Sequence, residues 1–511
     1  MPRLLALACL ALVALPATAQ TSAVCSNGFA TLSTTVPNSR TSGPFACNGV
    51  DLLAFLPSCS GSTSCTTGPL SSGRGNDIWG WTDPTTNREY ALVGMVNGTV
   101  FVDVTVPTAP EVLGRVVSHN GSSSTWRDIK VYANHAFIVS EASGHGMQVF
   151  DLTRLRGLTA DPARTFEPDA RYAGVSNSHN IVINEDSGYA YLVGTNTCSG
   201  GLHMVDIRTP TAPVSAGCFA EDGYTHDAQC VIYAGPDTQY TGREICFASN
   251  EDTVTIVDVT DKSNPVQISR GFYPTPGYTH QGWLTDDHRY HLADDELDEF
   301  FGTVSATRTV VMDVSDLDNP EWHFDYAGPL FTSDHNLYVR GRYAFLSTYE
   351  SGTRILDLAG LDGGSMTEVA FFDTHPQSDD TGFEGQWSNY PYFASGTIVA
   401  NDRTNGLFVL RPTNLVVDTP AGPAPTAFAL SEPTPNPAAA RTTLALTVPA
   451  PEHVRATVLD ATGREVAVVF EGTVADAATI TVDTHSLAAG AYVIRVTGES
   501  FSAARRLSVA R

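Results

Sequence analysis

With 55 acidic against 29 basic side chains in 511 residues, the chain carries a formal net charge of −26, and Lys130 and Lys262 are its only lysines. This balance argues against nucleic acid or anionic membrane as a partner, since both demand clustered positive charge. Cations, a saline habitat or plain solubility all suit it, and the length suffices for one large domain and a small one.

The N-terminus reads as a leader. Arg3 supplies a positive start, Leu4 to Leu15 form a short apolar run, and Ala17-Thr18-Ala19 is a small-x-small cleavage site, so residues 1–19 are expected to be a signal peptide. No later stretch is long and apolar enough for a transmembrane helix. Cys9 leaves with the leader; Cys25, Cys47, Cys59, Cys65, Cys198, Cys218, Cys230 and Cys246 remain. An even number without CxxC in an exported chain implies disulfides rather than thiolate metal sites. The expected pairs are Cys25–Cys47 and Cys59–Cys65, with the other four cysteines in the third and fourth repeats. Residues 20–76 are read as an N-terminal disulfide-containing segment that includes a spare strand within 47–57.

Residues 77–415 repeat with a period of about fifty residues. One half of the repeat is an apolar strand ending in Asp: GTVFVDV (98–104), MQVFDL (147–152), LHMVDI (202–207), VTIVDV (254–259), TVVMDV (309–314) and TRILDL (353–358). A seventh copy, GLFVLRP (406–412), lacks the Asp. The other half opens on a polar pair: DIWGW (77–81), RDIKV (127–131), HNIVI (179–183), HDAQCVI (226–232), HQGWL (280–284), HNLYV (335–339) and EGQWS (384–388). Short β-branched runs punctuated by Pro, Gly and Asn are strand-and-turn chemistry. Four antiparallel strands per repeat predict an all-β fold, a seven-bladed β-propeller; a β-solenoid is the alternative. The seventh repeat runs out after its third strand, so segment 47–57 is expected to pair with it and close the ring. Residues 416–432 form a Pro/Ala-rich linker. Residues 433–511 alternate in short strands and predict a small antiparallel β-sandwich.

Two resemblances follow from longer motifs. Residues 433–511 resemble the C-terminal sorting domain of the type IX secretion system through Pro435-Asn436-Pro437, Asp460-Ala461-Thr462-Gly463-Arg464, Leu487-Ala488-Ala489-Gly490-Ala491-Tyr492 and Arg505-Arg506-Leu507. The resemblance implies type IX machinery as a partner, passage across the outer membrane, then removal of the domain and attachment or release of the remainder. Residues 47–412 resemble the choice-of-anchor B family of LVIVD-type repeats through DIWGWTDP, WRDIKVY, HGMQVFDLTRLR, GYTHDAQCVIYAGPD, SNEDTVTIVDVTDKSNP, YTHQGWLTDDHRY, DDELDEF and SDHNLYV. It implies a secreted, surface-displayed module and names no activity.

The opening polar pair is the candidate site. Its first member is His179, His226, His280 or His335 in four consecutive repeats, and its neighbour is Asn180, Asp227, Gln281 or Asn336. Imidazoles so placed could bind zinc or another first-row metal, with Asp227 as a ligand or as base for a metal-bound water. Alternatively, a His at a repeated position clamps blades together. Asp294, Asp295 and Glu296 open the densest acidic run, which reads either as calcium ligands or as a solvated turn. The Asp closing each third strand is expected to accept backbone N–H bonds at a turn. Trp79, Trp81, Trp126, Trp283 and Trp387 could stack on a sugar or pack between blades. No GxSxG, HExxH or phosphate-cradling glycine loop is present. Two functions therefore stand open: a surface binding or structural module for a glycan or protein, or a metal-dependent hydrolase or lyase.

Overall fold

The computed structural model describes residues 22–32, 43–58, 70, 73–160, 164–415, 429–431, 433–448, 452–460, 464–474, 477–485, 487–498 and 501–510. The expected leader, residues 416–428 of the expected linker at 416–432 and the Cys59–Cys65 pair lie outside them, whereas Ala429–Leu430 of that linker pairs as a strand with Arg441–Thr447. The chain divides into two compact units, residues 1–419 and 420–511.

The first unit is all-β apart from short helical turns. Among the described residues it holds seven sheets, entered through Gly75–Thr82, Arg127–Tyr132, Asn180–Asn184, Asp227–Ile232, Thr279–Leu284, Leu337–Arg340 and Gln386–Tyr390. From its entry strand each sheet continues through antiparallel neighbours, and the first sheet ends on a short strand, Thr165–Phe166, that pairs parallel with Glu111–Val117. Burial is deepest in the middle strands. In the fourth sheet Glu244–Ser249 and Val254–Asp258 are buried along their whole length, whereas Val266–Gly271 is partly exposed.

The seventh sheet takes its fourth strand from the other end of the chain. Val50–Pro57 pairs antiparallel with Gly406–Pro412, with Val50 opposite Pro412 and Pro57 opposite Gly406. The seven entry strands touch one another in chain order, and Gln386–Tyr390 also touches Gly75–Thr82. Each adjacent pair of sheets shares an apolar cluster. Phe101 and Phe150 stack between the first and second, and Ile78 packs with Val399 between the seventh and first. Burial on both faces explains why these strands are uniformly apolar rather than alternating.

The third-strand aspartates do what their position before a turn requires. Asp103, Asp151, Asp206, Asp258, Asp313 and Asp357 each accept the backbone N–H two residues on, at 2.9–3.0 Å. Disulfides join Cys25 to Cys47, Cys198 to Cys218 and Cys230 to Cys246, the last two inside the third and fourth sheets. Lys262 is buried, bonding Glu244 and the Val259 carbonyl, each at 2.7 Å. No helix among the described residues is long and apolar enough to cross a membrane.

The second unit has two antiparallel sheets that share one apolar cluster including Leu444, Val458, Ile480 and Ile494.

Candidate functional site

The four histidines come together in an arc. Ring centroids are 4.2 Å apart for His179 and His226, 4.1 Å for His226 and His280, and 4.3 Å for His280 and His335. Each stands at the entry to its sheet, so the neighbouring entry strands bring them side by side. Each is also held through Nδ1. His179 donates to Glu141 Oε1 at 2.6 Å, His226 to the His280 carbonyl at 2.9 Å, and His335 to the Trp387 carbonyl at 2.5 Å. His280 donates to Asp294 Oδ1 at 2.8 Å, and the same oxygen accepts the Gln281 N–H at 3.0 Å, which marks it as the acceptor.

Three of these four bonds run to a neighbouring sheet, so the clamp is real, but it uses one ring nitrogen. A neutral imidazole that donates through Nδ1 carries its lone pair on Nε2. None of the four Nε2 atoms has a hydrogen-bond partner among the described residues. This is the arrangement of metal-ligating histidines, whose second nitrogen donates to a carboxylate or carbonyl and so fixes tautomer and ring.

Glu296 completes the group. Its carboxylate lies 3.9 Å from His280 Nε2 and 3.8 Å from His335 Nε2, and Tyr349 donates to its Oε1 at 2.7 Å. One ligand atom from each of His280, Glu296 and His335 falls within 4.8 Å of the others. Ligand atoms about 2.0–2.1 Å from one tetrahedral ion stand roughly 3.4 Å apart, so the two gaps to Glu296 close with shifts of about half an ångström.

Burial sets the charge. It pushes His226 and His280 well below the ordinary imidazole range, aided by their neighbouring rings, and takes His335 down to about 3. Burial also raises Glu296 and, strongly, Asp294. Burial thus keeps these imidazoles unprotonated, the form in which the ring nitrogen can ligate a metal.

The other candidates go elsewhere. Asp227 lies outside the group; its carboxyl accepts the Ala228 N–H at 2.7 Å, and burial followed by Asp128 raises it to about 7. It belongs to a buried set with Asp77, Asp128 and Lys130, in which Lys130 pairs with Asp128 at 2.6 Å and lies 4.5 Å over the Trp79 ring. The acidic run is split because successive strand residues face opposite ways. Asp294 turns to His280, whereas Asp295 accepts Tyr273 Oη, the Gly277 and Tyr278 amides and Arg308. Asp294, Asp295 and Glu296 therefore do not form one calcium loop. Trp79 and Trp283 pack edge-on to Tyr338, Trp81 stacks on Tyr90, and Trp387 lies 4.7 Å from His335. Trp126 is exposed, 6.3 Å from His179.

Glu141 and Tyr349 were not singled out from the sequence, and Glu296 was grouped with the wrong neighbours. A signal existed. An acidic residue follows the second strand of several sheets, as in Glu141, Glu251, Glu296 and Glu350. The second strand is antiparallel to the entry strand, so its end returns to the level of the imidazoles.

Residues 434–510 match the family described as Secretion system C-terminal sorting domain. The tail is a type IX sorting domain. A sorting domain directs its passenger to the type IX secretion machinery, and the disulfides of the first unit suit an extracellular destination. Among curated proteins none matches the chain. Solved structures similar to it include a Lactobacillus plantarum protein, 11% identical, covering 80% of this chain and 99% of its own, with a TM-score of 0.42. The C-terminal WD40 domain of Sif2 is 7% identical over 66% of this chain and 96% of its own, with a TM-score of 0.42. The Pseudomonas aeruginosa periplasmic gluconolactonase PpgL is 11% identical over 58% and 88%, with a TM-score of 0.39. Likenesses this loose assign no chemistry to the residues ahead of the sorting domain.

Proposed function

We propose that this protein is a seven-bladed β-propeller, delivered to the cell surface by its sorting domain, that binds an extracellular ligand through a divalent first-row metal at one mouth of the propeller. The cyclic contact of the entry strands, the shared apolar clusters and the strand contributed by Val50–Pro57 support the closed ring. The motifs shared with choice-of-anchor B proteins support surface display, and the sorting domain forms a small β-sandwich.

One observation carries the metal reading: His280 and His335, oriented through Nδ1, converge with Glu296 within 4.8 Å. Two imidazoles and a carboxylate are a donor set for zinc, and three protein ligands leave a coordination position open. An oxygen of a glycan or a peptide carboxylate fills it. Binding is preferred to hydrolysis because Asp227, the residue expected to act as base, is engaged with the Lys130 set.

The test is elemental analysis of the purified full chain by inductively coupled plasma mass spectrometry, beside His335→Ala and Glu296→Gln. About one zinc, manganese or iron per chain is expected, falling at least tenfold in both variants. Wild-type protein that stays metal-free after incubation with zinc would overturn the reading.

A further inference from the structure

The entry strands enclose a cavity of about 80 Å³. Trp79 of the first sheet, Lys130 of the second, Ile183 of the third, Asp227 of the fourth, Trp283 of the fifth and Tyr338 of the sixth line it, so it lies where those sheets meet. Lys130, Trp283 and Tyr338 stand three residues beyond Arg127, His280 and His335 in the chain. At about 3.3 Å per residue this sets the cavity roughly 10 Å along the strands from the imidazoles. A cavity of about 150 Å³ holds a benzene ring, so this one takes the end of a side chain or a small ion rather than a sugar ring.

Its chemistry is that of a cation site with one place already filled. Lys130 Nζ lies 4.5 Å over the Trp79 ring, 2.6 Å from Asp128 Oδ1 and 3.6 Å from Asp77 Oδ2. The protein's own ammonium thus shows what this wall holds, a positive nitrogen between an indole face and carboxylates. The other side of the cavity repeats these parts without the cation. Trp283 meets Tyr338 edge-on at 5.1 Å, as Trp79 does at 5.6 Å, yet no cation among the described residues lies over the Trp283 ring. Asp227 accepts the Ala228 N–H at 2.7 Å through Oδ1, whereas its Oδ2 has no hydrogen-bond partner among the described residues, and the side chain is only partly buried. Lys130 is the one basic residue lining the cavity, and it already serves two carboxylates. Asp77 has no hydrogen bond at either oxygen beyond that ion pair, and Glu185 stands at the exposed edge.

We infer that this cavity binds a primary alkylammonium group, with Asp227 Oδ2 accepting its N–H bonds and the Trp283 ring packing on its methylene stem. An ammonium bonded to a carboxylate makes a charge-assisted contact, and an indole beside it adds attraction to the same charge. Carboxylates outnumber the ammonium of Lys130 here, which selects a cation over an anion. The net charge of −26 draws such ligands toward the protein from a distance. No part of the inference uses the His280–His335–Glu296 site.

The test is titration of the full-length protein with n-butylammonium chloride, in low salt at about pH 8, where alkyl amines stay protonated, followed by saturation-transfer NMR of the ligand protons. Binding should be at least tenfold tighter than that of 1-butanol, which has the same stem and no charge. Asp227→Asn keeps an oxygen for the Ala228 amide, so it should melt no lower than wild type and weaken n-butylammonium at least tenfold. Trp283→Leu should weaken it about threefold or more. Glu296→Gln should bind as wild type does, which separates this site from the metal site. Tenfold tighter binding of Nα-acetyl-lysine methylamide than of n-butylammonium would support a protein's lysine side chain as the natural source, and equal affinity a free amine. Binding of n-butylammonium no tighter than that of 1-butanol would overturn the inference. Wild-type affinity in Asp227→Asn would do so too.

Discussion

Arg127 in the second sheet and His280 in the fifth occupy the same place in the repeat, as first members of the polar pair that opens the entry strand, and they spend it differently. Arg127 is buried and uses every nitrogen: Nε donates to the Met95 carbonyl at 3.0 Å, Nη2 to Ser118 Oγ at 2.8 Å, and Nη1 lies 3.1 Å from His145 Nε2. His280 is as deeply buried, yet it closes its clamp through Nδ1 and leaves Nε2 facing Glu296. The position is thus a clamp by default, and an imidazole performs it with one of two opposed nitrogens. Structural and metal-binding roles are therefore not rivals at this position.

The comparison is broken most directly at Arg127. Replacing it with Leu strands His145, Ser118 and the Met95 carbonyl, and should cost about 3 kcal/mol in urea unfolding while leaving the metal content unchanged. Loss of metal together with stability would show that the two uses of the position cannot be separated.

A third imidazole sharpens it. His291 is buried, stacks on Phe247 at 5.5 Å, and has no partner at either nitrogen; burial takes it down to about 3. The folded protein keeps it neutral while the unfolded chain protonates it near 6.5. Its stabilising share is complete above 6.5 and is lost as pH falls toward 3, by at most about 1.4 kcal/mol per pH unit. Buried carboxyls such as Asp373, raised to about 7 by burial, act in the opposite sense, so the readout is a difference. Stability of His291→Leu measured against wild type from pH 7 to pH 5 should gain about 1 kcal/mol or more per pH unit below 6.5. A constant difference would show that His291 takes up its proton in the fold as readily as in the unfolded chain.

The smallest effect belongs to the turn aspartates. Asp357 accepts the Ala359 N–H at 2.9 Å and pairs with Arg342, whose hydrogen bond holds the carboxyl below its usual range. Asp357→Ala should cost about 1 kcal/mol, read from chemical unfolding midpoints, with no change in metal.

The repeat and its strands were legible because six of the seven copies end on an Asp with one local job, capping a turn two residues away. The imidazoles were legible for the same reason: they recur in register. The partners of Glu296 were not, because Tyr349 and His335 come from an adjacent sheet, and local spacing carries no record of such meetings. Asp227 misled because a polar neighbour of a His need not face the same way; consecutive residues on a strand point apart. The family resemblance of the tail rested on short motifs in fixed order, and these identify an export signal without needing any tertiary contact.

Both lysines of this chain are engaged in the fold, Lys130 with Asp128 and Lys262 with Glu244, and their side chains are 12% and 9% exposed. Amine-directed acylation or cross-linking should therefore pass over the native first unit at every lysine it has. Unfolding presents both at once. The extent of lysine modification becomes a natural counter of open molecules that needs no engineered label.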